Sequence, residues 1–226
     1  MSDSPEPPPG WASSWIPDGA PPEGQRAAFR RIAAAVRRMN ELLLDSRLPE
    51  DDLLDAAAAA EALAARFENG PRNRPHWGFG EPANSGNPRA HFESSPLSGL
   101  GNPVAPPLAL AVENGEVIGR VTFTRPYEGP PGHCHGGFVA AAFDEVLGLT
   151  QSMTGRTGMT GTLVVRYRKP TPLYREVRFT GRVDRVDGRK IFTSATLHDG
   201  ETLCAEAEAI FVQVDFDRLR RLAEQA

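Results

Sequence analysis

Gly136-Gly-Phe-Val-Ala-Ala-Ala-Phe-Asp-Glu-Val-Leu-Gly-Leu-Thr-Gln-Ser-Met153 is long enough for about five helical turns. Phe138, Ala141, Ala142, Val146 and Leu149 occupy much of its circumference. A helix apolar on most sides has to be buried, so the fold is decided by what can wrap it.

The flanking sequence alternates with period two. Leu108, Leu110 and Val112 lead into Asn114-Gly115, and Val117, Val121 and Phe123 follow; Asn-Gly between alternating runs predicts a β-hairpin. After the helix come Leu163, Val165 and Tyr167, then Val177, Phe179 and Val183, then Ile191, Ala195 and Leu197, then a run from Leu203 to Val214. Asp187-Gly188 and Asp199-Gly200 divide the last three runs, which predicts an antiparallel meander. Two strands, one buried helix and four strands read as an α+β domain, with an antiparallel β-sheet wrapped around a central α-helix. A short helix from Phe216, carrying Leu219 and Leu222, is expected to close the chain.

Four segments follow from the composition along the chain. Residues 1–24 form a Pro-rich tail in which Trp11 and Trp15 are candidates to pin it to a neighbouring surface. Residues 25–69 read as a helical hairpin. Its first helix carries Phe29, Ile32, Val36, Met39 and Leu43 at three- and four-residue spacing, and its second carries Leu53, Ala57, Ala60, Ala64 and Phe67 behind an acidic first turn. Residues 70–104 are a Gly/Pro-rich loop with Trp77, Phe79 and Phe92, and 105–226 are the main domain.

Several function classes are disfavoured by composition. With 226 residues, 40% hydrophobic and 24% charged, the chain has the mix of an ordinary globular domain. A net charge of -4 argues against nucleic acid as partner, and the acidic second helix could not enter a major groove as a recognition helix would. Two cysteines make no disulfide framework and suit a reducing compartment. The Met1-Ser-Asp-Ser-Pro start lacks a basic segment followed by an apolar one, and no apolar run approaches about 20 residues, so a soluble, cytoplasmic protein without membrane contact is expected.

Chemistry concentrates in Tyr127-Glu-Gly-Pro-Pro-Gly-His-Cys-His-Gly-Gly137. Glycines let a ligand approach the backbone, and the first turn of a helix offers unpaired N–H groups with positive partial charge. A thioester or ester carbonyl on the N–H of Gly136 or Gly137 would be polarised without a metal. Asp144 lies about two turns further on in an otherwise apolar helix, where a carboxylate is a candidate general base or nucleophile or else part of a polar stripe with Glu145. His133-Cys134-His135 has metal-ligand residue types but no second cluster, so no metal is expected. Cys134 beside His133 lacks an orienting partner for a thiol nucleophile. Arg166, Arg168, Lys169, Arg189 and Lys190 are basic candidates for phosphates, with solvated strand residues as the alternative.

His135-Gly136-Gly137, Asp144, Gly148 and the run Met159-Thr160-Gly-Thr-Leu-Val-Val-Arg-Tyr-Arg-Lys-Pro-Thr-Pro-Leu173 together resemble the hotdog-fold acyl-CoA thioesterases of the PaaI-like and THEM4-like type. The resemblance spans about Ala105 to Val214 and leaves the N-terminal hairpin uncovered. It implies a hotdog fold, a homodimer with active sites at the subunit interface that often pairs again into a tetramer, and hydrolysis of acyl-CoA in fatty acid metabolism. It also implies roles: Asp144 as general base or nucleophile, Gly137 N–H as oxyanion donor, Thr160 as a positioning hydroxyl supplied by the other subunit, and His135 as organiser of the loop. Gly136, Arg168, Arg189 and Lys190 would contact substrate, with no cofactor. Some members carry Asn upstream of His-Gly-Gly where this chain has Gly129, and the Gly-Pro-Pro-Gly form favours the THEM4-like branch and medium to long acyl chains. A hotdog dehydratase or hydratase, or a non-catalytic acyl-CoA-binding scaffold, are the alternatives.

Overall fold

A computed structural model of the chain describes residues 23–71, 93–156 and 158–214. The Pro-rich tail with Trp11 and Trp15, the aromatics Trp77, Phe79 and Phe92, and the expected helix from Phe216 lie outside the described residues.

The hairpin forms as read, with β1 at Ala109–Glu113 and β2 at Glu116–Thr122. Asn114 and Gly115 take φ of 52° and 79°, the left-handed pair that a two-residue turn between twisted strands requires. The central helix α3 (numbered after the two N-terminal helices below) runs Gly136–Ser152. Then follow β3 at Gly158–Tyr167, β4 at Glu176–Asp187, β5 at Lys190–Asp199 and β6 at Thr202–Gln213. All pairings are antiparallel in one six-stranded sheet of order β1-β2-β4-β5-β6-β3, so β4, β5 and β6 are the expected meander and β3 is an edge.

The sheet wraps α3, which touches every strand from β2 to β6. Along β5 the inward residues Ile191, Thr193, Ala195 and Leu197 are buried in strict alternation. Phe143 of α3 meets Phe179 of β4 edge to face, with ring centroids 4.9 Å apart. The helix lies so close to β4 that a Cβ on Gly181 would stand 2.5 Å from Thr150 Oγ1. Burial of these apolar side chains, about 1.5–3 kcal/mol each, is what holds the helix inside.

The N-terminal segment holds two helices, α1 at Gly24–Leu44 and α2 at Glu50–Glu68. The apolar stripe of α1 docks only in part: Phe29 lies so close to Gly101 that a Cβ there would stand 2.5 Å from its ring, and Ala33 is buried, whereas Met39 and Leu43 are at least half exposed. Arginines add the polar contacts. Arg26 and Arg30 bond the Glu93 carboxylate at 3.0 and 2.6 Å, and Arg37 donates to the carbonyls of Asn102 and Leu100. In α2 no residue is buried, so the face from Leu53 to Phe67 stands in solvent in the single chain. Its alanines and its acidic first turn of Glu50, Asp51 and Asp52 favour helix without a packing partner. Among the described residues no helix is long and apolar enough to cross a membrane.

Candidate active site

The loop before α3 is braced at every backbone step. Gly129 N–H bonds the His133 carbonyl, His133 N–H bonds Pro130, Cys134 N–H bonds Thr171, and His135 N–H bonds Tyr127, all at 2.8–2.9 Å. Gly132 N–H reaches the Glu128 carboxylate at 2.6 Å. Gly129 passes so close under the loop that a Cβ there would lie 2.8 Å from His135 Cα. Position 129 therefore admits no side chain in this conformation, and no side-chain amide reaches the site from it.

His135 caps α3: its Nδ1 accepts the Gly137 N–H at 3.0 Å. An accepting Nδ1 leaves the ring proton on Nε2. The Gly137 N–H, the expected oxyanion donor, is thus already engaged by the histidine. The Gly136 N–H, at the first helical position, meets no acceptor among the described residues. It retains the positive end of the helix dipole and is the N–H left for a carbonyl oxygen. The Gly136 carbonyl accepts the Tyr167 hydroxyl at 2.7 Å, so the end of β3 fixes the plane of this peptide.

Eight residues into α3, Asp144 is half-buried and accepts the Thr160 hydroxyl at 2.8 Å. Thr160 belongs to β3 of the same chain, which corrects the expectation that it reaches across from the other subunit. β3 runs antiparallel to α3, Thr160 beside Asp144 and Tyr167 beside Gly136, so one chain brings both together. Glu145, by contrast, is held by Ser95 and Ser98 at 2.6 and 2.5 Å and anchors the loop that precedes β1. One carboxylate is therefore structural, and its neighbour has an oxygen left over for chemistry.

The basic residues do not converge within a chain. Arg168 follows β3 beside the Gly136 end and is paired with Glu206. Arg189 donates to the Gln213 carbonyl at 2.9 Å, and Lys190 lies opposite Val212, itself opposite Met159. That places them at the other end of β3, about 30 Å from Arg168. Cys134 is buried, and burial pushes its thiol up to about 12, which leaves it protonated and unfit as a nucleophile. His133 Nδ1 faces the Pro131 carbonyl at 2.9 Å, and among the described residues no three His, Cys, Asp or Glu side chains converge on a metal position. Sequence reading missed Tyr167 and the Ser95 and Ser98 contacts; the only available signal for Tyr167 was an aromatic hydroxyl on the strand that also carries Thr160.

Comparison with known proteins gives a consistent picture. The family model described as Thioesterase superfamily matches residues 131–206. Acyl-coenzyme A thioesterase THEM4 of Xenopus laevis is 39% identical over 92 residues, which are 39% of this chain and 41% of that protein. Human acyl-coenzyme A thioesterase THEM5 is 30% identical over 92 residues, 40% of this chain and 37% of that protein. The chain thus spans about two fifths of the length of these curated relatives. A crystal structure of a thioesterase superfamily protein superposes with a TM-score of 0.73 at 34% identity, covering 86% of this chain and 94% of that one.

Proposed function

The chain belongs to the thioesterase superfamily, and from that premise we propose that it hydrolyses an acyl-CoA thioester of medium to long chain to the free acid and CoA. The observation that carries the reading is the half-buried Asp144 on the central helix, with Thr160 holding one of its oxygens.

In this reading the thioester carbonyl oxygen accepts the Gly136 N–H, and water bonded to Asp144 attacks the carbonyl carbon. Asp144 takes the proton of that water as the new C–O bond forms. The C–S bond then breaks, the CoA sulfur leaves as thiolate, and a proton returns to it to give the thiol. Thr160 fixes the rotamer of the base, and an oxyanion donor of this kind contributes about 3–4 kcal/mol in acyl transfer.

Two half-sites of different chains make the complete site. Gly136 and Asp144 are about 12 Å apart along the helix axis. The Gly136 N–H points off the helix end, whereas the Asp144 side chain projects sideways from its middle toward β3. One carbonyl and one water bridge such a gap only when stretched straight, so Asp144 of one chain is read as serving the Gly136 of a second. The edge strand β3 supports such pairing: its Met159, Val164 and Tyr167 are 48%, 42% and 54% exposed, and an unpaired apolar edge seeks a partner.

The test is thiol release from a panel of acyl-CoA esters, short to long and aromatic, by wild type and Asp144→Asn together. Turnover that vanishes in the variant supports the reading. Tight acyl-CoA binding with no turnover by either would favour the scaffold alternative.

A further inference from the structure

A cavity of about 350 Å3 lies between α1 and the sheet domain. On the domain side its walls are apolar, chiefly Val104, Pro107, Tyr127 and Phe138, and on the α1 side it is lined by Arg38, Asn40 and Glu41. The walls are fixed. Arg37, which also lines it, is tied to the Asn102 and Leu100 carbonyls at 2.8 and 3.0 Å, and the Tyr127 hydroxyl donates to the Val104 carbonyl at 3.0 Å. The Tyr127 and Phe138 rings meet edge to face at 5.0 Å.

The cavity adjoins the site at Phe138. This residue directly follows Gly136-Gly137, and its ring stands 6.4 Å from that of His135. A carbonyl held at Gly136 thus has one of its two substituents next to the Phe138 wall. The wall it meets decides which substituent. The charged lining residues Arg37, Arg38 and Glu41 all belong to α1, whereas the wall that begins at Phe138 carries no charge to hold a phosphate. Apolar walls with few polar groups suit a hydrocarbon, and the volume is at the lower end for small-molecule pockets.

We propose that this cavity, built jointly by α1 and the catalytic domain, is the acyl-chain subsite and takes the distal part of a medium-length chain. The proposal rests on the thioesterase reading for its substrate, and it gives the N-terminal segment a role in specificity. Residues of α1 that touch neither Asp144 nor Gly136 would then set the chain length.

Non-hydrolysable CoA thioethers bearing ethyl or octyl groups, and CoA itself, test it by calorimetric binding to the full-length chain. The proteins are wild type, Val104→Trp, Asn40→Trp, and Leu54→Ser on the exposed face of α2 as a control. Val104 and Asn40 fill the cavity from opposite walls and are both exposed, so one variant suffices should the other misfold. Wild type and control are expected to bind the octyl thioether at least about tenfold more tightly than the ethyl one, the worth of two buried methylenes. The tryptophan variants should reduce that ratio to about threefold or less. An unchanged ratio in both variants, or no preference in wild type, overturns the subsite. An equal loss of affinity for CoA itself also overturns it, because the cavity would then hold the CoA arm. Thiol release from octanoyl-CoA by wild type is measured alongside: no turnover with the binding pattern intact refutes hydrolysis and upholds the subsite.

Discussion

Thr160 Oγ1 donates to Asp144 Oδ1 at 2.8 Å, from the edge strand to the central helix of the same chain. A hydroxyl in that place orders a carboxylate without neutralising it, and it leaves the second oxygen free to accept from water. Asp144→Asn is expected to lower kcat by about 10²-fold or more, the scale of general-base catalysis, with KM little changed. Thr160→Ala should lose about tenfold, and Thr160→Ser should recover most of it. Equal losses for Ala and Ser would show that the methyl group, rather than the hydrogen bond, is what matters.

Gly136 and Gly137 are separable by proline. Position 136 is the first residue of α3 and is preceded by His135 at φ -63°, ψ 132°, a conformation that tolerates a following proline. Gly136→Pro deletes the unpaired N–H, and its ring carbon must displace the Tyr167 hydroxyl slightly, since a Cβ there meets it at 3.3 Å. We expect kcat to fall by about 10²-fold while thermal stability stays within a few degrees. Gly137→Ala keeps its N–H but sets a methyl 3.1 Å from His135 Nδ1, so it is expected to cost less than Gly136→Pro; the opposite order, with the His135 cap intact, would return the oxyanion role to Gly137.

Burial holds the Cys134 thiol up at about 12 and the Tyr127 hydroxyl likewise at about 12. Both bind their protons more tightly folded than unfolded. Their contribution to stability is therefore complete below the ordinary thiol and phenol values, and is lost as pH rises through about 9 to 12. Iodoacetamide at pH 8 should leave Cys134 unmodified in the native protein and label it after unfolding, as read by intact mass. Cys134→Ala should retain activity. Rapid native labelling accompanied by inactivation would reopen a thiol mechanism.

Glu93 anchors α1 to the segment that leads into the sheet domain. Burial alone would raise its carboxyl, but hydrogen bonds from Arg30 and Arg26 outweigh that and hold it below the usual carboxylate range. The anchor is complete above that range and weakens as pH falls through it. Hydrogen exchange in residues 24–44 should accelerate in Glu93→Gln at neutral pH, and in wild type on acidification, before the core of α3 responds. Simultaneous opening of α1 and α3 would contradict a separable anchor.

Much of this arrangement was legible in the chain, and the failures have physical causes. The apolar circumference of Gly136–Met153 and the turn dipeptides at 114, 187 and 199 specify the helix, the hairpin and the meander, because each is a local pattern with one partner face. Which glycine N–H stays free depended on the His135 side chain folding back as a cap, and no spacing encodes that rotamer. That Thr160 meets Asp144 within one chain depends on how β3 crosses α3, a tertiary fact. How α1 docks was not legible, because Glu93, the partner of Arg30, lies 63 residues from it in a stretch without periodicity.

Mixed dimers test the shared site most directly. In a dimer of one Asp144→Asn chain and one Gly136→Pro chain, both lesions fall in one site and the other is intact. Co-expressed and purified with two affinity tags, it is predicted to regain about half of wild-type thiol release from the best acyl-CoA. The mixed dimer of Asp144→Asn with Thr160→Ala is predicted to regain none beyond its parents, because each site then carries one lesion. Recovery in the second mixture and none in the first would contradict the account, placing Asp144 and Gly136 in one chain and Thr160 in the other.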